Sequence, residues 1–277
     1  MRSVELLRRR YPAVRLVQLG RRPGIAAAFN ACIRSARGDG IVLLNNDTEP
    51  APRWLEHLEA ACGADPHIGA CASKILFIKD RKTINSAGDF YRRDGTPGNR
   101  GVWEIDRGQY DQSPHVFSAM AAAALYRRAA LEDVGLFDEG LVSYCEDIDW
   151  SFRAHLRGWH CRFAPHAVVY HHGSATGGGS YASYRCGRNF VLVFVKNMPG
   201  KLFRRYLPLH VARELWLSLK ALPHGREPAA RAWLRGQGAA LFALPRYLRL
   251  RHEVQRQRLV AEEEIDRLLS GDWHFWR

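Results

Sequence analysis

The run Ile41-Val42-Leu43-Leu44 is apolar at every position and then stops at Asn45-Asn46-Asp47-Thr48-Glu49. A strand with one wet face alternates apolar and polar residues, so an unbroken run marks a strand buried on both faces. Such a strand needs helices above and below it, and the neighbouring sequence offers them. Gly24 to Ala36 fits an Ala-rich helix, and Pro52 to Cys62 fits another, with Pro52 suited to its first turn. Val14 to Leu19, Ile68 to Ile78 and Val116 to Tyr126 read as further strands, and Leu6 to Arg10 as the end of a helix. Up to about residue 172 short strands and helices alternate, which predicts an α/β domain. Residues 91–115 hold several Gly, Pro and Asp and are expected to form a long loop, a feature more often functional than idle.

After Gly177-Gly178-Gly179 the pattern turns helical. Leu202 to Leu222 is amphipathic; Pro223, Pro228 and Pro245 punctuate the stretch beyond it, and Val254 to Leu269 reads as a final charged helix. The expected division is a domain over residues 1–200 and a basic helical tail over 201–277. Net charge is +13, and Lys201 to Arg251 alone holds eleven Lys or Arg against Glu214 and Glu227. That stretch suits an anionic membrane or a nucleic acid, while a solvated helix face is the plain alternative. Trp216, Trp233, Phe242 and Tyr247 on amphipathic helices favour the membrane surface. No recognised nucleic-acid module is present, and no nucleic-acid partner is expected. Uninterrupted apolar runs of about 18 residues are absent, so no segment reads as a membrane span. The polar start Met1-Arg2-Ser3-Val4-Glu5 lacks a signal-peptide core. Six scattered cysteines without a C-x-x-C pair predict reduced, mostly buried thiols in a cytosolic protein.

Three constellations could carry chemistry. Asp47 follows the apolar strand, where open α/β sheets place ligands, and its carboxylate could hold Mg²⁺ or Mn²⁺; a capped turn would use the same residues. Glu146, Asp147 and Asp149 open a helical pattern. The helix dipole stabilises acids there, and Asp149 with Arg153 is spaced for an ion pair, yet a carboxylate at that place could also deprotonate a hydroxyl. Val168-Val169-Tyr170 ends in His171-His172, and a neutral imidazole is a competent metal ligand, although a hydrogen-bonded histidine at a strand end is equally ordinary. Arg185 and Arg188, among Tyr181 and Tyr184, could clamp phosphate or lie on a solvated helix face.

In this order and spacing the segments resemble the family 2 glycosyltransferases, in their rhamnosyltransferase-like bacterial branch. Ser3-Val4-Glu5-Leu6-Leu7, Gly24 to Asn30, Leu43 to Glu49, Trp54-Leu55, Gly135-Leu136-Phe137-Asp138, Glu146 to Arg153, and His171 with Gly173 carry the resemblance, over roughly residues 3–200. It implies a GT-A type (Rossmann-like) mixed sheet flanked by helices and an inverting transfer from a nucleotide-diphosphate sugar with a divalent metal. The acceptor would be a growing cell-surface polysaccharide or a lipid-linked glycan at the cytoplasmic membrane face. By resemblance Asp47 and His171 hold the metal, with Asn45 and Asn46 in place of further acids. Asp147 is the catalytic base and Glu146 its neighbour in the acceptor pocket. Asn30 lies near the nucleotide, and Arg185 or Arg188 would steady the leaving diphosphate.

Members of the family open with a strand ending in Thr-Tyr-Asn and a second strand with an Asp-rich loop. Roughly forty residues of that kind, including a central strand, are expected to be missing before Met1. On that expectation the chain as written binds nucleotide poorly. The alternatives are an inactive transferase remnant or a basic nucleic-acid-binding protein.

Overall fold

The computed structural model describes residues 2–20, 24–173 and 178–269. Met1, Ser174, Gly177 and the end of the expected tail, 270–277, lie outside the described residues. In chain order the elements are α1 (Arg2–Arg10), α2 (Ile25–Ser35), β1 (Gly40–Leu44), β2 (Thr48–Pro50), α3 (Trp54–Gly63), β3 (Ile68–Phe77) and β4 (Ile84–Ser86). β5 (Asp89–Tyr91), β6 (Pro97–Asn99), β7 (His115–Val116), β8 (Ala123–Arg127), α4 (Arg128–Val134), α5 (Glu146–Leu156) and β9 (His160–His171) come next. Four helices complete it: α6 (Gly179–Asn197), α7 (Gly200–Ala221), α8 (Pro228–Arg256) and α9 (Glu262–Leu268).

The main sheet runs β1-β8-β3-β9-β2, with β4 beside β3 and β7 beside β9. β3 and β9 are parallel and the other pairs antiparallel, so the sheet is mixed. Both faces are buried. Ala70 and Ala72 of β3 join Ile41, Leu43 and the α2 residues Ala26 and Ile33 on one side. Cys71 and Ile75, one register step away, pack with Trp54, Leu58 and Cys62 of α3 on the other. Of the run 41–44, Ile41 and Leu43 are buried on the α2 side and Val42 packs partly on the α3 side. Leu44, where β1 ends, is 41% exposed, so the expected burial on both faces holds only in part.

A third cluster joins α5 to the helical half. Cys145, Ile148, Phe152 and Leu156 pack with Leu192, Phe194, Leu202, Tyr206, Tyr247 and Ile265. The helices from α7 onward therefore share a core with the residues that open α5.

Several expectations need correction. Val14 to Leu19 form no strand: Val14, Val17 and Leu19 stay exposed, because among the described residues β1 pairs only with β8 and no strand pairs with the segment. It is held by side-chain bonds from Arg8 to Gln18 and from Arg15 to the Ser35 carbonyl. Val116 to Tyr126 divides into β7 and β8. Between them the chain leaves the ladder in a turn closed by the Ala123 N–H on the Met120 carbonyl (3.2 Å). The stretch 91–115 is not plain loop; it holds one strand of the β5–β6 hairpin. Pro52 precedes α3, whose cap is Arg53 in a left-handed conformation (φ 63°). Pro245 sits inside α8, on its exposed side, and Val254 to Leu269 breaks between α8 and α9. The six cysteines are free, four of them buried.

Candidate active site

A cleft of about 820 Å³ opens beside the ends of β1, β3 and β9, within the size range of small-ligand sites. Asn45, Asp47, Asp89, Glu146, Asp147 and His171 line it.

The strand-end wall is built by backbone. After β1 the Asn45 N–H donates to the Ala122 carbonyl (2.8 Å), and the Thr48 hydroxyl closes the turn on the Asn45 carbonyl (2.6 Å). Thr48 pairs with His171, and the His172 N–H donates to the Asp47 carbonyl (3.0 Å). These bonds set the Asp47 side chain against the His171 ring, Oδ1 to Nε2 at 3.4 Å. Burial lowers the His171 pKa despite Asp47, which keeps the ring neutral at pH 7. Two ligands in cis on a Mg²⁺-sized ion, with bonds near 2.1 Å, stand about 3 Å apart. The carboxylate oxygen and the imidazole nitrogen fit that spacing. No third His, Cys, Asp or Glu joins them among the described residues, so phosphate oxygens and water would complete the shell.

The opposite wall is the start of α5. Val142, Tyr144 and Cys145, just before it, all have positive φ, conformations that L-residues hold only where the surroundings impose them. Gly24 is part of that imposition. Its φ is +93°, and a Cβ there would lie 2.5 Å from Val142 Cγ1 and 2.6 Å from the Val142 carbonyl oxygen. The Ala26 N–H donates to the same carbonyl (3.2 Å).

Asp147 Oδ1 accepts from the Ile148 N–H (2.8 Å) and Oδ2 from the Ala121 N–H (3.1 Å). Burial nevertheless raises its pKa, the hydrogen bonds only moderating the rise. Glu146 beside it is pushed up to about 8 by burial and by the Asp147 charge, and its Oε2 has no hydrogen-bond partner. Asp149, two positions on, points inward. Burial opposes its charge, but Lys196 (2.9 Å), Arg153 (3.1 Å) and Asn197 (2.8 Å) hold its pKa below the ordinary value.

The other residues named from the sequence lie elsewhere. Asn46 is exposed and outside the cleft lining. Asn30 is buried with its amide spent on the 137–139 segment. Its Nδ2 donates to the Phe137 carbonyl and to Glu139 (both 2.9 Å), and its Oδ1 accepts the Phe137 N–H (3.0 Å). Arg185 stacks over Tyr181 and Tyr184, 5.2 and 5.5 Å from the ring centroids. Arg188 donates to the Gly140 carbonyl (3.0 Å) and to Asn189 (2.8 Å). None of these three lines the cleft.

Two cleft residues had no signal in the sequence. Asp89 follows Ser86-Ala87-Gly88 and is buried, and its pKa is raised well above the ordinary value by burial and by Asp147. Asn85 bonds His171 from behind, Oδ1 to Nδ1 at 2.8 Å.

Residues 2–135 match the model of glycosyl transferase family 2. The O-antigen biosynthesis protein RfbC of Myxococcus xanthus is 27% identical over 177 residues, covering 57% of this chain and 14% of its own. The N-acetylglucosaminyl-diphospho-decaprenol L-rhamnosyltransferase of Mycobacterium tuberculosis is 27% identical over 197 residues, 63% of this chain and 64% of its own. The chain therefore spans only part of these relatives. Among solved structures, GalNAc-T7 with UDP, GalNAc and Mn²⁺ superposes with a TM-score of 0.52 at 18% identity, over 70% of this chain and 39% of that one. The mannosyltransferase PcManGT from Pyrobaculum calidifontis, in complex with GDP-Man and Mn²⁺, gives 0.50 at 18% identity, over 92% and 72%. The mixed sheet flanked by helices is the GT-A fold of these structures. Over residues 2–135 the chain is a family 2 glycosyltransferase.

Proposed function

We propose that this chain transfers a sugar, by inversion, from a nucleotide-diphosphate donor to a hydroxyl of a glycan or lipid-linked acceptor in cell-surface polysaccharide synthesis. The observation that carries the reading is one cleft with Asp47 and His171 on one wall and Asp147 and Glu146 on the other. Asp147 takes the proton of the acceptor hydroxyl as its oxygen bonds to the anomeric carbon. The bond from that carbon to the diphosphate breaks on the far side, and the nucleoside diphosphate leaves with the electron pair. Asp47 and His171 would hold a Mg²⁺ or Mn²⁺ ion, which when bound neutralises charge on the diphosphate. The raised pKa of Asp147 makes it a stronger base than an exposed aspartate.

Release of nucleoside diphosphate from a panel of UDP-, GDP- and dTDP-sugars, with Mn²⁺ and lipid-linked acceptor extracts, tests the reading. Turnover that falls about 10³-fold in Asp147→Asn supports it, that being the scale of general-base catalysis. Turnover kept within a few-fold by that variant would remove Asp147 from the chemistry, and the absence of turnover with every donor would favour the inactive-remnant reading.

The second part of the proposal is location, at the inner face of the cell membrane through residues 201–251. No described helix is long and apolar enough to cross a membrane. α7, however, exposes Val211, Leu215 and Leu219 along one side, Leu222 just after it is exposed too, and Phe242 of α8 is 91% exposed. Lys220, Arg226, Arg231 and Arg235 lie among them, the composition of a helix lying on an anionic surface. Flotation with phosphatidylglycerol vesicles should carry the protein, and Leu215→Glu with Leu219→Glu should release it. Equal flotation of the double variant would sink the contact.

A further inference from the structure

His171 makes its two ring contacts with groups of different kinds. Nε2 faces the Asp47 carboxylate on the same wall of the cleft at 3.4 Å, and Nδ1 faces the Asn85 side-chain oxygen at 2.8 Å. An amide oxygen only accepts, so the nitrogen that meets it carries the proton, and in a neutral ring the other nitrogen then bears the lone pair. That leaves a lone pair and a carboxylate oxygen facing each other with no proton between them. Two acceptors at such a distance repel unless a cation lies between them.

The backbone at Asn85 is also unusual. β4 pairs with β3 through Ser86 opposite Ile75 and Ile84 opposite Leu76, so one step along β3 matches two along β4. Asn85 is the extra residue of a β-bulge, a device that re-aims a side chain and recurs beside active sites. From there its amide reaches the His171 ring on β9, which lies along the other side of β3. Ile84 and Ser86 are fully buried on either side and hold the bulge in place.

We propose that Asn85 is a positioning residue which fixes His171 as the Nδ1–H tautomer, so that Nε2 is presented with Asp47 to a divalent cation. The proposal rests on the reading of Asp47 and His171 as metal-holding residues. In this role Asn85 acts through His171: it sets which nitrogen faces the ion and how the ring is turned. Removing a hydrogen-bond partner of this kind from a metal-binding histidine typically weakens affinity about 10–100-fold.

Two measurements on the full chain test it. Mn²⁺ binding is read from the loss of the free-ion EPR signal, with Mn²⁺ alone as the probe. The tautomer of His171 is read from long-range ¹⁵N–¹H spectra of metal-free protein labelled in its histidines and assigned through His171→Gln. The unaltered protein should show the Nδ1–H form and bind Mn²⁺. Asn85→Leu should lose the Nδ1–H preference and bind Mn²⁺ at least about 10-fold more weakly. Asn85→Asp, which keeps an acceptor at the same place, should restore both, and it remains informative if the leucine variant folds poorly. An Nδ1–H imidazole without Mn²⁺ binding in the unaltered protein would sink the metal reading, and this inference with it. Mn²⁺ binding with an Nε2–H imidazole, or undiminished binding in a folded Asn85→Leu protein, would overturn the role of Asn85 alone.

Discussion

The two walls of the cleft hold their ionisable groups by opposite means. At the strand ends, Asp47 and His171 are aimed by ladder and turn hydrogen bonds that the sheet makes in any case, and His171 is simply kept neutral by burial. At the start of α5, Glu146 is buried and Asp147 half-buried, both with few counter-charges, behind a backbone with Val142, Tyr144 and Cys145 at positive φ. One wall is a by-product of good structure; the other opposes it. Asp149 supplies the counterweight, because its bonds to Lys196 and Asn197 tie α5 to α6 while Arg153, one turn on in α5, shares its charge. Groups that need an abnormal proton affinity sit where the fold is least content, and a neighbouring group with an ordinary structural role holds them there.

Breaking the helix-start wall should have the largest effect. Asp147→Asn should cost about 10³-fold in kcat and about 1–3 kcal/mol in stability, since the amide keeps one acceptor where the carboxylate serves both the Ala121 and the Ile148 N–H. Breaking the strand-end wall comes next: His171→Ala should weaken Mn²⁺ binding about 100-fold, read by EPR, while the protein stays folded. Asp149→Ala should act on stability instead. It leaves Lys196 and Arg153 without their shared carboxylate, a loss of about 3–5 kcal/mol for a broken buried pair, measured by urea unfolding. An Asp149→Ala protein as stable as the parent would mean that α5 is held by packing alone.

The smallest effect is a change of slope. Glu146 has a pKa of about 8 when folded and near its ordinary value when unfolded. Between those values the folded state keeps a proton that the unfolded state has lost, so stability falls as pH rises through that window. Glu146→Gln removes this dependence, and the variant should lose less stability than the parent between pH 5 and 8. Parallel curves would show that Glu146 is ionised in the folded protein.

Legibility in the sequence divides along the same line. Asp47, His171, Glu146 and Asp147 each stand at the end or start of an element whose apolar pattern is readable, so their placement comes with that of the element. Asn30, Arg185 and Arg188 lie on helices, where a polar residue that faces a ligand and one that clamps a carbonyl look alike. The side chain of Asn30 is committed to Phe137 and Glu139. Asn85 and Asp89 depend on the register of β4 against β3 and on the turn after it, which tertiary pairing decides. Val14 to Leu19 have the composition of a strand, but a ladder needs a second strand, and composition cannot supply one. The apolar run at 41–44 is legible as a strand because Ile41 and Leu43 face α2 and Val42 faces the α3 side, whereas the exposure of Leu44, the last residue of β1, is not.

Gly24 has a consequence of another kind. It bears no functional group and sits far from Asp147 along the chain, yet its missing side chain is the space into which Val142 fits. A single added methyl would press on the turn that leads into Glu146 and Asp147. In a survey of all single substitutions Gly24 would therefore score with Glu146 and Asp147, and a map of mutational sensitivity would outline the shape of the turn as sharply as the lining of the cleft.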